Sequence, residues 1–169
     1  MSTQSTFMIS DTTRALFDRE VAKYPADQRQ SAVMACLTIV QQAQGFVSAD
    51  SEKAVAEYLS MAPIAVHEGT PFYNMYNQHP VGKYKLNVCT NLPCQLRSGD
   101  KALVYLEKKL GVTMGGTTAD GLFTLQQSEC LGACGDAPVL LVNDVNMCSF
   151  MSNDKLDQLI DGLTSAEAQ

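Results

Sequence analysis

The stretch that decides the fold covers residues 84–94 and reads Tyr-Lys-Leu-Asn-Val-Cys-Thr-Asn-Leu-Pro-Cys. Apolar and polar residues alternate from Tyr84 to Val88, which is the pattern of a strand with one face in a core. This strand leads directly into Cys89, and Cys94 follows after a loop that contains Asn91. The sequence therefore predicts a strand that ends at one cysteine and is followed, after a short loop, by a second.

A second thiol pair, Cys130 and Cys134, lies in Glu-Cys-Leu-Gly-Ala-Cys at residues 129–134. The four cysteines are spaced as Cys-x4-Cys, a gap of 35 residues, and Cys-x3-Cys. Structural zinc sites favour tighter Cys-x2-Cys spacing, whereas Cys-x4-Cys occurs in loops around [2Fe–2S] clusters. The two histidines, His67 and His79, are far away in sequence, which argues against a Rieske centre. The spacing favours an all-cysteine [2Fe–2S] site.

The four candidate ligands, Cys89, Cys94, Cys130 and Cys134, divide naturally by loop. Short loops close on one atom at a small entropic cost. We therefore expect Cys89 and Cys94 to hold one iron, and Cys130 and Cys134 to hold the other.

The residues between the ligands indicate how the protein tunes such a centre. Gly132 and Gly135 allow backbone N–H groups to approach sulfur without a Cβ in the way. Pro93 stiffens its loop and removes one N–H, and Thr90 offers a hydroxyl donor. Such hydrogen bonds set the reduction potential of a cluster.

Composition narrows the class of protein. Of the 169 residues, 46% are hydrophobic and 18% are charged, which is typical of a folded domain. The net charge of −6, without a Lys/Arg cluster, argues against binding nucleic acid or anionic membranes. The longest apolar stretch, residues 32–40, is too short to span a bilayer, and no secretory or transit signal is evident. We expect a cytoplasmic protein. In that reducing compartment, six cysteines indicate metal binding or redox chemistry and not a set of structural disulfides.

The first half of the chain is predicted to be helical. Apolar spacing, capping residues and the positions of Pro25, Gly45 and Pro63 define the helix limits. The predicted helices cover residues 11–24, 27–44, 50–60 and 63–68. We assign residues 1–80 to a helical bundle.

The second half, residues 81–169, alternates strands and helices. The predicted strands cover residues 84–88, 122–126, 138–142 and 146–150, with helices over residues 100–110 and 153–159. The order β-α-β-β-β-α matches a thioredoxin-like layout. The predicted fold class is thus α/β, with an N-terminal helical bundle followed by a thioredoxin-like domain that binds an iron–sulfur cluster.

At these residues the chain resembles a known family, the thioredoxin-like [2Fe–2S] subunits of the NADH-oxidising module of respiratory complex I, or NADH:quinone oxidoreductase. The motifs that carry the resemblance are Gly82-Lys83-Tyr84, Val88-Cys89-Thr90-Asn91, Pro93-Cys94, Asp120-Gly121, Phe123-Thr124-Leu125, Glu129-Cys130-Leu131-Gly132-Ala133-Cys134, Ala137-Pro138 and Asn143-Asp144. Upstream, Phe72-Tyr73 and Met75 also match. The chain departs from the family pattern at Thr70-Pro71 and in the apolar residues 145–151. Neither departure touches the four ligand positions.

The resemblance implies an electron-transfer subunit that does no substrate chemistry alone. It implies one [2Fe–2S] cluster on Cys89, Cys94, Cys130 and Cys134, which exchanges one electron with the flavin of a partner. The partner implied is the flavin- and NADH-binding subunit of the same complex, docked through the helical half. The location implied is the peripheral arm of a membrane-bound complex, on the cytoplasmic side and without membrane insertion.

Three alternatives remain open at this point. Small subunits of NAD-linked hydrogenases and formate dehydrogenases belong to the same family. A structural zinc module would use the same cysteines in a different class of protein. A disulfide oxidoreductase would normally carry Cys-x-x-Cys, which is absent here, and would leave Cys130 and Cys134 unexplained.

The remaining candidate residues are interpreted as structural. Cys36 falls on the apolar face of a helix and Cys148 on a strand, so we expect both to be core thiols. His67 and His79 are single residues near helix ends and are expected at the surface or in caps. No phosphate-binding glycine motif is present, so the chain shows no nucleotide site of its own.

Overall fold

The computed structural model describes residues 7–167. The chain forms two compact units, the first ending at Pro80 and the second beginning at Val81. Within residues 7–167, no helix is both long and apolar enough to cross a membrane.

The first unit is helical. Its elements are α1 (Asp11–Val21), a 3-10 segment (Ala26–Ala32), α2 (Val33–Gln44), α3 (Ala49–Leu59), α4 (Pro63–His67) and α5 (Gly69–Phe72). Ser10 caps α1, because its side chain accepts a hydrogen bond from the backbone N–H of Thr13. Gly45 ends α2 in the left-handed conformation at φ 86°, as predicted.

Two helix predictions were too long. The helix predicted over residues 11–24 ends at Val21. The pattern also predicted a single helix over residues 27–44, but the α-helix starts only at Val33, after the 3-10 segment. Gln28 is non-helical at φ −116° and ψ 27°, and residues 26–31 are exposed. That polar stretch has no apolar face to bury, so packing does not hold it in a regular helix.

The core of the first unit is formed by apolar side chains from α1, α2 and α3. Its fully buried members include Phe17, Cys36, Leu37, Val40 and Val55. A buried carboxylate, Glu52, is satisfied by the Thr70 hydroxyl and by Nδ1 of His67 at 2.9 Å. This hydrogen bonding ties α3 to α4 and α5.

The second unit is a four-stranded mixed sheet with helices. Its elements are β1 (Tyr84–Cys89), α6 (Leu92–Leu96), α7 (Gly99–Leu110), β2 (Phe123–Ser128), a 3-10 turn (Cys134–Asp136), β3 (Leu140–Val142), β4 (Asn146–Cys148) and α8 (Asn153–Glu167). The strand order is β2-β1-β3-β4. β1 and β2 are parallel, and the β1–β3 and β3–β4 pairs are antiparallel. The predicted α/β fold class is confirmed.

Several limits in the second unit differ from the prediction. β2 ends at Ser128 and not at residue 126, β3 begins at Leu140 and not at residue 138, and β4 ends at Cys148 and not at residue 150. The short helix α6 occupies part of a stretch predicted to be a loop, and α8 continues well beyond residue 159. Leu156 and Ile160 are buried and Leu163 packs beside them, so the apolar face of α8 extends past Gly162. Because Gly162 lies on the exposed side, it does not interrupt that face.

β1 lies at the centre of the sheet and separates two kinds of surface. Leu86 and Val88 belong to an apolar core with Leu106 of α7 and Leu156 of α8. On the other face of β1, Lys85 is only 2% exposed. This alternation sets the direction in which Cys89 points when the strand ends.

The turn between β3 and β4 is fastened to β1. Asn143 and Asp144 both adopt left-handed backbone conformations, at φ 53° and φ 58°. The Lys85 N–H donates to Oδ1 of Asn143 at 2.7 Å, and the Asn143 N–H donates to the Lys85 carbonyl at 2.9 Å. Asp144 accepts from Nζ of Lys85 at 2.5 Å and from Nδ2 of Asn87 at 2.7 Å. This turn therefore also pairs with the central strand.

Candidate metal centre

The first thiol pair is buried at the end of β1. Cys89 is 2% exposed and Cys94 is 1% exposed. The Cys89 N–H donates to the carbonyl of Val139 at 3.1 Å. Burial raises the pKa of Cys94, and the Cys89 thiol adds to that rise. Strand pairing thus fixes the backbone of one ligand candidate, and its thiol interacts with that of the other.

The short helix α6 brings Cys94 back toward Cys89. Asn91 precedes α6 in an extended conformation. Pro93 lies in the first turn of α6, where backbone N–H groups have no partner within the helix, so the missing N–H of proline costs no hydrogen bond. The Gln95 N–H donates to the Asn91 carbonyl at 2.9 Å and closes this turn. A single helical turn after the strand therefore accounts for the Cys-x4-Cys spacing.

Gly99 allows close packing behind the buried pair. A Cβ at this position would lie 2.7 Å from the Cys89 carbonyl oxygen and 2.9 Å from that of Cys94. Any side chain here would push α7 away from both ligand candidates. Sequence reasoning missed this residue, although the Ser98-Gly99 dipeptide before a helix is a usable signal.

The second thiol pair lies at the surface. The Cys130 and Cys134 sulfurs are 3.4 Å apart, and both residues are exposed. The Gly132 N–H lies 3.4 Å from the Cys130 sulfur, and Gly132 has φ 81°, a conformation that glycine adopts without strain. The expected approach of the Gly132 N–H to sulfur is confirmed, whereas within residues 7–167 no such contact involves Gly135.

The surroundings of Cys94, Cys130 and Cys134 shift the pKa values of these three thiols in different ways. The Gly132 N–H, followed by the hydrogen bond with Cys134, lowers the pKa of Cys130 because both stabilise its thiolate. Burial raises the pKa of Cys94, although the backbone of Val139 acts in the opposite direction. The hydrogen bond with Cys130 raises the pKa of Cys134, and the Cys89 charge adds to that rise. The pairs are therefore close enough to interact electrostatically.

Hydrogen bonds between loops hold the two pairs beside each other. Nδ2 of Asn91 donates to Oε2 of Glu129 at 2.8 Å, and the Thr90 N–H donates to the Ser128 carbonyl at 3.2 Å. Nε2 of Gln127 donates to the Thr90 hydroxyl at 2.5 Å. The Thr90 hydroxyl thus bonds to Gln127, and its expected role as a donor to sulfur stays a prediction.

The donor set is compatible with a [2Fe–2S] centre. Such a cluster takes two thiolates on each of two irons, and the four thiols lie in two adjoining pairs. Structural zinc takes the same four donors.

The other two cysteines lie apart from this arrangement. Cys36 is fully buried in the first unit, and burial raises its pKa to about 12, so the thiol stays protonated and inert at neutral pH. Cys148 is half-buried on β4, and burial raises its pKa as well. His67 bonds to the Glu52 carboxylate in the first unit, and His79 is exposed.

A family model described as thioredoxin-like [2Fe-2S] ferredoxin matches residues 17–164. The chain belongs to the thioredoxin-like [2Fe-2S] ferredoxin family. The match includes all four candidate ligands and most of both units, so the expected family membership is confirmed.

Curated relatives of this chain are similar over nearly their full length. The chain is 40% identical to the E subunit of NADH-quinone oxidoreductase from Rickettsia conorii, over 88% of this chain and 89% of that protein. It is 35% identical to NADH-quinone oxidoreductase subunit 2 of Thermus thermophilus, over 93% of this chain and 87% of that protein. The chain is therefore a homologue of these NADH-quinone oxidoreductase subunits.

A solved structure supports the ferredoxin fold. The crystal structure of NAD+-reducing [NiFe]-hydrogenase in the H2-reduced state matches with a TM-score of 0.67 at 19% identity. The match covers 79% of this chain but only 22% of the hydrogenase chain. At this identity the similarity shows a shared fold alone.

Proposed function

We propose that this chain is the [2Fe–2S] electron-transfer subunit of the NADH-oxidising module of NADH-quinone oxidoreductase. In this proposal Cys89, Cys94, Cys130 and Cys134 hold the cluster, with one pair on each iron. The observation that carries it is the pairing of four thiols in two adjoining loops tied by Asn91 and Thr90. Bound there, the cluster would take up and release one electron at a time.

The residues of the chain would position and tune that centre. The Gly132 N–H lies 3.4 Å from the Cys130 sulfur, and the backbone of Val139 acts to lower the pKa of Cys94 against the effect of burial. Hydrogen bonds to sulfur stabilise negative charge and therefore favour the reduced form. Burial of Cys89 and Cys94 acts in the opposite direction by excluding water from that side.

The partner we propose is the flavin- and NADH-binding subunit of the same complex. The relatives that are 35–40% identical bear names of NADH-quinone oxidoreductase subunits, which supports this choice. In that complex the chain would lie in the peripheral arm on the cytoplasmic side. The chain itself would catalyse no substrate reaction.

The equivalent subunit of an NAD-linked hydrogenase is the second candidate. Its support is the similarity in fold to an NAD+-reducing hydrogenase. We rank it lower because that match is at 19% identity, whereas the NADH-quinone oxidoreductase relatives reach 40%. The identity of the neighbouring genes would separate the two candidates, and the corresponding subunit of a formate dehydrogenase would be recognised in the same way.

The decisive experiment is an anaerobic absorption and EPR spectrum of the purified chain, with iron and acid-labile sulfide assayed in parallel. We expect visible absorption bands, about two iron and two sulfide per chain, and an S = ½ signal on reduction. Bound zinc without an EPR signal, even after reconstitution with iron and sulfide, would replace this proposal with a structural zinc module.

The helical first unit is proposed as the main docking element. Phe72 and Tyr73 expose 78% and 44% of their surface and their ring centroids are 5.0 Å apart, and exposed apolar patches mark interfaces. Ile64, elsewhere in the same unit, exposes 63%. We predict that deletion of residues 1–77 spares the cluster but abolishes co-purification with the flavin subunit. Co-purification of the truncated chain would contradict this assignment, and its absorption spectrum shows whether the second unit still folds.

A further inference from the structure

A cleft of about 330 Å³ lies in the second unit beside the candidate metal centre. Its walls come from the start of α7, the loop after Cys134 and the segment that precedes α8. Arg97 and Lys101 line it, together with Pro138 and Phe150. The proposed electron-transfer role makes no use of this cleft.

The cleft carries unneutralised positive charge. Six of the twelve Lys and Arg residues pair with carboxylates within residues 7–167, namely Arg19, Lys23, Lys53, Lys83, Lys85 and Lys109. Neither Arg97 nor Lys101 has such a partner in that part of the chain. The ammonium of Lys155 lies 5.7 Å from the Phe150 ring centroid and donates to the Ser149 carbonyl at 3.3 Å. Two cations thus line this cleft, and a third lies near its Phe150 ring, in a chain with net charge −6.

No carboxylate of residues 7–167 lines the cleft to offset this charge. Asp100 and Asp154, in the first turns of α7 and α8, are outside the lining. Asp136 is also outside it and accepts a hydrogen bond from the Ser149 hydroxyl at 3.1 Å. The electrostatic potential in the cleft therefore favours an anionic occupant.

Apolar surface accompanies the charge. Phe150 is 49% exposed, in a left-handed conformation at φ 53°, and its N–H is held by the Asp136 carbonyl at 2.8 Å. Leu96, next to Arg97 in sequence, is 77% exposed. Exposed aromatic and aliphatic side chains beside arginine are typical of protein–protein contact surfaces.

The cleft is joined through the backbone to both thiol pairs. The Arg97 N–H donates to the Cys94 carbonyl at 3.0 Å, and the Ala137 N–H donates to the Cys134 carbonyl at 3.4 Å. Two residues that line the cleft are therefore hydrogen-bonded through their backbone to one ligand candidate of each pair. A molecule in the cleft would lie next to the metal centre.

We propose that this cleft binds an acidic segment of the flavin-bearing partner subunit, with an apolar side chain against Phe150 and carboxylates near Arg97 and Lys101. This inference rests on the proposed function and adds a second contact, separate from the helical unit. A protein segment fits better than a small anion because all the polar side chains in the lining are exposed. None of them is buried so as to fix a small ion in place.

The test measures binding of the purified flavin- and NADH-binding subunit to the full-length chain with its cluster. The variant is Arg97→Glu combined with Lys101→Glu. The control is Lys108→Glu, another exposed cation without a carboxylate partner in the described chain, which lies about 10 Å further along α7. Binding is measured at about 0.05 M and about 0.3 M salt, where charge screening differs strongly. Absorption spectra of all proteins check that the cluster is intact.

We expect the double variant to raise the dissociation constant by about tenfold or more at low salt, and by much less at high salt. The control should stay within about twofold of the wild type. Equal binding by wild type and double variant, an equal loss in the control, or a loss that salt does not alter would each overturn the proposal. A wild-type dimer that the double variant abolishes would overturn it in favour of self-association.

Failure of the proposed function gives a different result. If the wild-type chain has no cluster or does not bind the flavin subunit at any salt concentration, the proposed function fails, and the cleft proposal fails with it. If the wild-type chain binds and the double variant binds equally well, the function stands and the cleft alone is excluded.

Discussion

The two thiol pairs differ in what holds them. Cys89 and Cys94 are almost fully buried, and their positions depend on strand pairing, on α6 and on the approach of α7 at Gly99. Cys130 and Cys134 are exposed and depend on one local turn around Gly132. One side of the candidate centre is thus built by tertiary packing and the other by local backbone conformation.

This difference predicts two kinds of mutational effect. A change on the buried side should alter both the stability of the fold and the cluster, because the same contacts serve both. A change on the exposed side should alter the cluster and leave the fold nearly intact. Three variants, ordered from the largest expected effect to the smallest, test this distinction.

The largest effect is expected for Cys130→Ala. Loss of one of four thiolates leaves an iron without its full ligand set, so iron should fall from about two per chain to near zero. Because Cys130 is exposed, the midpoint of chemical unfolding of the cluster-free protein should barely change. Iron content and a denaturation curve measure the two effects. Cys148→Ala is the matched control and should keep its iron.

An intermediate effect is expected for Gly99→Ala on the buried side. The new methyl group would meet two carbonyl oxygens at less than 3 Å, and overpacking of this kind typically costs about 1–3 kcal/mol. Both the unfolding free energy and the cluster content should therefore fall. Gly162→Ala, which meets nothing within 4 Å in α8, should instead stabilise the chain by about 0.5–1 kcal/mol. If both variants behave alike, close packing at Gly99 is not the cause.

The smallest effect is expected for Gly132→Ala on the exposed side. Left-handed backbone costs a non-glycine residue roughly 1–2 kcal/mol, which should loosen the N–H contact to Cys130. We expect a retained cluster with a lower reduction potential, because one hydrogen bond to sulfur weakens. Potentiometric titration measures the reduction potential of the cluster in the variant and in the wild type. An equal shift in Gly135→Ala, which has no strained backbone, would argue against a specific role for the Gly132 N–H.

The exposed side was also the easier side to predict from sequence. Gly132 between two close cysteines implies an N–H near sulfur, because the turn is local and few conformations satisfy it. The α/β fold class was equally accessible, because β1 and α7 carry clear apolar periodicity. Spacing and residue type were enough to nominate all four thiols.

The buried side needed information that the sequence pattern does not carry. Gly99 is important only because α7 approaches the Cys89 and Cys94 carbonyls, and that approach is set by tertiary packing. Val139 acts through its backbone, so its side chain gives no signal. The exposed residues 26–31 were predicted to be partly α-helical because they lie next to a strong helix pattern, although they have no buried face of their own.

The turn at Asn143 and Asp144 has a consequence for insertions and deletions. Surface turns usually tolerate changes in length, because their backbone bonds only to itself and to water. Here the turn supplies hydrogen-bonding partners to Lys85 and Asn87 of the central strand, so one added residue would move all of them out of register. An affinity tag or a reporter peptide should therefore not be placed between β3 and β4.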